Sequence, residues 1–180
     1  CALFVAWNGP LINLAMKLPA ALATGNTCVI KPSSVCSLSV LKLGEVLEEL
    51  DLPAGTINII TGPGGSVGES LASHPGINMV SFTGSSETGK RIMSLASNTV
   101  KPVALELGGK NPWIVLEDAD IDAAIGNAMF SCFGNTGMTC ASTGRYYLHE
   151  KIHDEFVEKF VAMSKNIVVG DPNNENTFMG

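Results

Sequence analysis

Cys140 lies in the part of the sequence that is best suited to chemistry, the run from Phe133 to Arg145. Its neighbours are Gly, Asn, Thr and Ser, which allow backbone amides to approach a reactant closely. We interpret Cys140 as a nucleophile, because the thiolate of a loop cysteine is strongly reactive. The alternative is a small buried apolar residue, since free cysteines are among the most buried residue types.

Two charged residues occur where apolar strands are predicted. Glu106 lies inside the apolar run Val103–Leu107, so its carboxylate must be paired, neutralised or exposed on a strand edge. A desolvated carboxylate there would be suited to act as a general base. Lys31 follows the apolar run Thr27–Ile30, where it could reach a ribose or phosphate, or be a solvated surface lysine.

Two glycine-rich turns, Gly62–Gly68 and Gly84–Gly89, each connect a predicted strand to a predicted helix. At such junctions the unpaired amides and the helix dipole attract phosphate groups. Neither turn has the G-x-G-x-x-G fingerprint, and each by itself could be structural. Two of them in consecutive strand–helix units favour a dinucleotide site.

The apolar periodicity predicts strands and helices that alternate along the whole chain. The predicted strands are Leu3–Ala6, Thr27–Ile30, Ile57–Ile60, Asn78–Phe82, Val103–Leu107, Pro112–Leu116 and Arg145–Leu148. The predicted helices are Leu11–Ala23 with a break or bend at Pro19, Ser37–Leu50, Ser66–Ser73, one from the second glycine turn to Ala96, Ala119–Cys132 and Glu150–Lys165. This alternation predicts an α/β fold, a largely parallel sheet with helices on both faces and ligands at the carboxyl ends of the strands.

The composition excludes several classes of function. A chain of 180 residues with 46% hydrophobic residues can bury the core of one domain or slightly more. The net charge of -6 and the absence of Lys/Arg runs argue against a nucleic-acid or anionic-membrane partner. The five cysteines contain no CxxC pair, so we expect no metal site, a reducing compartment and a cytoplasmic location.

Five motifs, in this order and at these spacings, resemble the aldehyde dehydrogenase superfamily. They are Trp7-Asn8-x-Pro10, Lys31-Pro-Ser, Phe82-Thr-Gly-Ser-x-Glu-x-Gly89, Leu105-Glu-Leu-Gly-Gly-Lys-Asn-Pro112 and Phe133-x-Asn-x-Gly-x-x-Cys140. The resemblance implies a Rossmann-like cofactor-binding segment over residues 1–107 that runs into the start of a catalytic domain over residues 108–180. Both would be incomplete, and the parent protein would be a homodimer or homotetramer.

The resemblance also implies an activity, the NAD(P)-dependent oxidation of a small-molecule aldehyde to a carboxylic acid. Cys140 would carry first a thiohemiacetal and then a thioester, Asn8 would hold the oxyanion together with the Cys140 N–H, and Glu106 would activate water. Residues that bind NAD or NADP are implied at Lys31, Ser33, Ser34, Gly64, Phe82, Gly84, Ser85, Gly89, Leu107 and Gly108.

The sequence departs from the pattern of this family in three places. Met138 stands where the family commonly has Gln. Ser34 stands where NAD-preferring members often carry a glutamate that repels a 2'-phosphate, so NADP is not excluded. Gly9 and Met16 take positions that are often aromatic, which implies a wider or more polar substrate tunnel.

Two other functions are compatible with the same fold. One is a CoA-acylating aldehyde dehydrogenase, in which a thiol takes the acyl group; the presence of Glu106 argues against it, because no water needs activation there. The other is a non-catalytic nucleotide-binding protein. The joint presence of Asn8, Glu106 and Cys140 argues against this second alternative.

Overall fold

The computed structural model describes residues 1–180, which divide into two compact units, Cys1–Leu107 and Gly108–Gly180. The strands of the first unit are β1 (Ala2–Val5), β2 (Cys28–Pro32), β3 (Ile57–Ile59), β4 (Val80–Gly84) and β5 (Val103–Leu107). Its helices are α1 (Pro10–Ala23), α2 (Leu38–Glu48), α3 (Glu69–Ser73), which follows a π-helical turn at Gly64–Gly68, and α4 (Ser86–Ser97).

The second unit contains β6 (Asn111–Val115), α5 (Ile121–Phe133), β7 (Thr143–Leu148) and α6 (His153–Ser164). A turn at Gly134–Gly137 follows α5, and a short 3-10 segment at Glu150–Ile152 precedes α6. Strands β6 and β7 pair in parallel, with a register shift between Asn111 and Pro112. The core of this unit consists of Val115, Ile125, Ala128, Met129, Ile152 and Phe156.

The five strands of the first unit form a parallel sheet in the order β3-β2-β1-β4-β5. The chain adds β2 and β3 on one side of β1 and then crosses to the other side to add β4 and β5. The order of the strands therefore reverses between β1 and β4, which is where open α/β sheets bind ligands. This sheet and its flanking helices confirm the predicted α/β fold.

Strand β1 is buried on both faces and separates two apolar cores. Leu3 and Val5 belong to the core that contains residues of α1 and α2. Ala2 and Phe4 belong to the core that contains residues of α3 and α4. All four residues are at most 6% exposed, as expected for the central strand of a parallel sheet covered on both sides.

Several boundaries differ from the predictions by a few residues, and two of the differences have a clear physical reason. Helix α1 continues through Pro19 without ending, because the apolar residues Leu14 and Leu18 are buried on its inner face and stabilise the helix around the lost hydrogen bond. Strand β2 extends to Lys31 and Pro32, which pair in register with Phe4 and Val5. Lys31 is therefore part of the sheet. No helix in the structure has both the length and the apolar character needed to span a membrane.

Helix α4 ends in a Schellman motif that has valine at its left-handed position. The Lys101 N–H donates to Ala96 O at 3.4 Å, and the Val100 N–H donates to Ser97 O at 3.1 Å. Val100 has φ of 52° and is 89% exposed. Glycine is the usual residue here, because a β-branched side chain clashes with its own backbone at positive φ.

We predict that Val100→Gly increases the free energy of unfolding by about 1 kcal/mol, since relief of left-handed strain exceeds the added entropy of the unfolded chain. Thermal unfolding of the complete protein measures the change. Asn98→Gly is the matched control, because Asn98 has a right-handed conformation with φ of -59° and gains nothing from glycine. A melting temperature that falls equally in both variants would contradict the assignment of strain to Val100.

Candidate functional site

Lys31 is a buried cation at the carboxyl end of β2. It is 6% exposed, and its Nζ donates one hydrogen bond within the chain, to Pro32 O at 3.2 Å. Burial lowers the pKa of Lys31 below its ordinary value of 10.5, because the charged form loses its hydration. Lys31 is therefore not the solvated surface lysine of the alternative reading. An ammonium with further N–H donors at this edge of the sheet is suited to bind hydroxyl or phosphate oxygens.

Gly68 lies against the side chain of Lys31. A Cβ atom at Gly68 would lie 3.6 Å from Lys31 Cε and 3.5 Å from Phe4 Cε1, so the π-helical turn before α3 covers the lysine closely. Gly64, at the start of the same turn, is exposed and has open space around it. The turn therefore presents accessible backbone near a buried cation.

The segment after β2 contains the two serines that were predicted to bind the cofactor. The Ser33 N–H donates to Val5 O at 2.9 Å, which continues the pairing of β2 with β1. Ser33 is half-buried, and Ser34 is exposed. No acidic residue occurs between Lys31 and Ser37, so the positive charge of Lys31 has no carboxylate close to it in this segment.

Ser85 caps the N-terminus of α4, where its Oγ accepts a hydrogen bond from the Thr88 N–H at 3.2 Å. Ser85 is exposed and follows Gly84 at the carboxyl end of β4, where the strand order reverses. The amides of this helix start and its dipole would favour an anion. Phe82 is 7% exposed and packs edge-on against Phe4, with ring centroids 6.0 Å apart.

Gly89 and Leu107 have a packing role in the structure. Gly89 is buried, and a Cβ atom there would lie 2.8 Å from Leu107 Cδ2. The glycine thus allows α4 to approach β5 closely. Gly108 is exposed and begins the second unit. The contact gives Gly89 and Leu107 a packing role, and their predicted part in cofactor binding stays a prediction.

Asn8 and Glu106 lie in the first unit, at the carboxyl edge of the sheet. Asn8 is half-buried between β1 and α1, and Glu106 is exposed on the edge strand β5, where it pairs in register with Thr83. The carboxylate of Glu106 was expected to be paired, neutralised or exposed on a strand edge. Within this unit it is exposed on the edge strand.

Lys17 is a charged neighbour of Glu106 that the sequence did not point to. Its Nζ donates to Ser81 Oγ at 2.8 Å. Desolvation lowers the pKa of Lys17, and the negative charge of Glu106 opposes that shift. Lys17 and Glu106 are therefore electrostatically coupled. In the sequence, Lys17 is one cation in an apolar helix, and nothing there indicates its partner.

Cys140 lies in the second unit, in a turn between α5 and β7, and its side chain is exposed. Within the described chain, Cys140 is thus not a buried residue, and its role as a nucleophile stays a prediction. Before it, Asn135, Thr136 and Gly137 have φ of 52°, 57° and 71°, a left-handed run that is strained for the β-branched Thr136. Strain of this kind clusters at functional sites.

Asn111, at the start of β6, holds the turn of Cys140. Its Nδ2 donates to Cys140 O at 2.7 Å and to Ser142 O at 2.9 Å. Asn111 is within a motif that the sequence singled out, but no role was predicted for it. The sequence shows only an amide side chain before Pro112, and the structure is needed to show which groups this amide contacts.

No group of three or more His, Cys, Asp or Glu residues is arranged to hold a metal ion. An apolar concavity of about 350 Å³ within the second unit is lined by Met129, Phe130, Met163 and Phe178, among others. None of the predicted site residues lines it.

The sequence model of the aldehyde dehydrogenase family matches residues 1–180, and the chain belongs to this family. The match confirms the resemblance drawn from the five motifs. Among its relatives, betaine aldehyde dehydrogenase 1 of Oryza sativa subsp. japonica is 51% identical over 178 residues, which are 99% of this chain and 35% of the relative.

Two further relatives are similar over the same region. The chloroplastic betaine aldehyde dehydrogenase of Beta vulgaris is 47% identical over 178 residues, and the peroxisomal aminoaldehyde dehydrogenase 1 of Pisum sativum is 46% identical over 179. Each alignment covers 99% of this chain and 36% of the relative. The chain thus spans about a third of the length of these curated relatives.

Solved structures agree with the fold. Betaine aldehyde dehydrogenase of Staphylococcus aureus, in complex with NAD+, is 39% identical with a TM-score of 0.94, over 99% of this chain and 36% of that one. An E. coli enzyme described as NADP dependent is 38% identical with a TM-score of 0.96, over 99% of this chain and 37% of that one. Similar folds in this family therefore include both an NAD+ complex and an enzyme described as NADP dependent.

The prediction of a cytoplasmic location is wrong by this comparison, because relatives whose names give a location are chloroplastic or peroxisomal. The prediction was inferred from cysteines that form no evident pairs. Such cysteines indicate the redox state of the thiols, and they do not identify the compartment.

We predict that Lys31→Met stabilises the nucleotide-free protein and weakens its binding of NAD(P). Methionine fills a similar volume between Gly68 and Phe4 without a desolvated charge. Because the pKa of Lys31 is lowered in the folded state, the unfolded state binds more protons as the pH approaches 10.5. The free energy of unfolding of the wild type therefore rises with pH in that window. The stability difference between Lys31→Met and the wild type becomes smaller as a result.

Denaturant unfolding at pH 7 and pH 10, with nucleotide titration at pH 7, measures both effects. Lys42→Met is the control, since Lys42 is exposed and pairs with Glu45 on α2. Equal stability changes in the two variants at pH 7 would contradict a desolvated Lys31.

Proposed function

We propose that this chain supplies the nucleotide-binding sheet and the nucleophile loop of an NAD(P)-dependent aldehyde dehydrogenase that converts an aldehyde to its carboxylic acid. The observation that carries the proposal is the exposed Cys140 thiol, in a turn that follows a left-handed backbone run and is held by Asn111. Membership in the aldehyde dehydrogenase family supports it.

The residues at the carboxyl edge of the sheet fit a dinucleotide. Lys31 offers a buried ammonium that lacks a carboxylate partner, and the turn at Gly64–Gly68 covers it with accessible backbone. Lys31, Ser33 and Ser34 would hold the ribose, and the start of α4 at Ser85 would hold the pyrophosphate. The bound cofactor supplies the hydride acceptor for the oxidation.

Cys140 performs the first step of the proposed mechanism. Its thiolate forms a bond to the aldehyde carbon, and the carbonyl electron pair moves to the oxygen, which gives a thiohemiacetal. The side-chain amide of Asn8 and the backbone N–H of Cys140 stabilise the oxyanion as its charge develops. Loss of hydride from the same carbon leaves a thioester on Cys140.

Glu106 performs the second step. Its carboxylate takes a proton from water, the hydroxide adds to the thioester carbon, and the carboxylic acid leaves as the Cys140 thiolate is restored. The negative charge of Glu106 acts on the neighbouring ammonium of Lys17, whose Nζ donates to Ser81 Oγ at 2.8 Å. The exposed position of Glu106 on β5 leaves its carboxylate accessible from outside the first unit.

The names of the relatives suggest the class of substrate. Betaine aldehyde and aminoaldehyde dehydrogenases occur among proteins that are 46% to 51% identical to this chain. We infer an aldehyde that carries an amino or quaternary ammonium group. Turnover of a panel that includes such aldehydes and uncharged ones of equal length would test this, and a preference for the uncharged ones would contradict it. We also infer a homodimeric or homotetrameric parent protein.

We predict that Glu106→Gln in the complete protein stalls the reaction at the thioester. The amide cannot take a proton from water, so one turnover forms NAD(P)H and the acyl group stays on Cys140. Intact-protein mass spectrometry would detect the added acyl mass, and Cys140→Ala is the control that should form neither adduct nor NAD(P)H. A fully active Glu106→Gln variant would exclude this role and favour transfer of the acyl group to another thiol.

We predict that Ser34→Glu shifts cofactor preference toward NAD, because a carboxylate accepts hydrogen bonds from ribose hydroxyls and repels a 2'-phosphate. The ratio of kcat/KM values for NAD and NADP measures the shift, which we expect to be about tenfold or more, a typical effect of one charge on recognition. Ser94→Glu, at an exposed position of α4, is the control. An unchanged ratio in Ser34→Glu would remove this residue from cofactor selection.

A further inference from the structure

The turn that carries Cys140 has a defined geometry. The Ser142 N–H donates to Thr139 O at 3.0 Å, so residues 139–142 form a β-turn with Cys140 and Ala141 at its two central positions. The two commonest turn types differ in the orientation of the peptide between the central residues. Ala141 does not have positive φ, which excludes the flipped, type II orientation of that peptide.

Asn111 acts on this same central peptide. One N–H of its side-chain amide bonds Cys140 O at 2.7 Å, and the other bonds Ser142 O at 2.9 Å. Both amide protons are thus used on two carbonyls of one turn. The hydrogen bond from Asn111 to the Cys140 carbonyl restrains ψ of Cys140. It therefore couples the position of β6 to the backbone that bears the thiol.

The position of Asn111 follows from an irregularity of the sheet. Strands β6 and β7 pair with a register shift between Asn111 and Pro112, where Asn111 pairs with Thr143 and Pro112 with Arg145. Pro112 has no N–H and cannot donate across the shift. The amide side chain of Asn111 supplies the donors instead, and it is half-buried at this point.

We propose that Asn111 is a positioning residue for the Cys140 nucleophile. Its amide holds the Cys140–Ala141 peptide and thereby restrains ψ of Cys140, the rotation that relates this peptide to the Cys140 side chain and backbone N–H. The inference rests on the proposed role of Cys140 as the nucleophile. Loss of the two donors lets the central peptide reorient, which lowers the fraction of molecules in which thiol and N–H are aligned for attack.

The test uses Asn111→Leu in the complete protein, because leucine is similar in size and removes both donors without adding charge. We expect kcat to fall about tenfold or more, equivalent to one lost hydrogen bond in the transition state, with little change in nucleotide affinity. Asn127→Leu is the matched control, since the Asn127 amide bonds one carbonyl, Ala123 O, on the exposed face of α5. Asn111→Ser, which adds no apolar surface, should reduce kcat in the same direction.

A second readout needs no aldehyde. The rate at which iodoacetamide alkylates Cys140 is measured against pH, and we expect Asn111→Leu to alter the rate and its pH profile. Cys132 lies in the same tryptic peptide, residues 111–145, and serves as the internal reference. Cys28 is buried and reports global opening, so its alkylation should stay slow in every variant.

The outcomes separate this inference from the proposed function. If both Asn111 variants match Asn127→Leu in kcat and in Cys140 alkylation, the positioning role is wrong. Faster alkylation of Cys28 and Cys132 together with Cys140 would also overturn it, because the effect would then be general unfolding. If wild-type protein oxidises no aldehyde and Asn111→Leu still changes Cys140 alkylation selectively, the positioning role stands and the proposed activity fails.

Discussion

The parallel pairing of β1 with both β2 and β4 is the constraint on which the first unit depends. Because β1 is buried on both faces, its four residues must be apolar, and they contribute to two cores at once. The same pairing brings the ends of β1, β2 and β4 to one edge of the sheet. The polar residues that follow these strands, Asn8, Ser33 and Ser85, therefore lie along that edge without needing any direct contact among themselves.

Much of the fold could be predicted from sequence, because each strand is a short apolar run followed by a turn and an amphipathic helix. The boundaries were harder, since Pro19 and Lys31 have weak local preferences for the elements that contain them. Pro19 remains helical because the apolar residues of α1 are buried, and Lys31 extends β2 because its backbone pairs with Phe4. Both outcomes depend on tertiary contacts that no local pattern encodes.

The candidate site, like the fold, could be predicted from the sequence only in part. The residue types of Cys140, Glu106 and Lys31 indicated chemistry from sequence, because a loop thiol and charges in apolar runs need an explanation. Lys17 and Asn111 could not be assigned a role in this way, since each interacts with a residue distant in sequence, Glu106 and Cys140 respectively. Gly89 was predicted as part of a phosphate-binding turn, and its contact with Leu107 adds a packing requirement that the sequence did not indicate.

The buried ammonium of Lys31 also makes the stability of the sheet depend on the concentration of the ligand that binds there. A ligand that accepts hydrogen bonds from this ammonium binds the folded chain and not the unfolded one. When the ligand concentration is a hundred times its dissociation constant, binding increases the free energy of unfolding by about 2.7 kcal/mol. Turnover of the protein by proteases, which cleave opened molecules, would then slow when this ligand is abundant. The abundance of the protein would thereby follow the abundance of its ligand without any separate regulatory site.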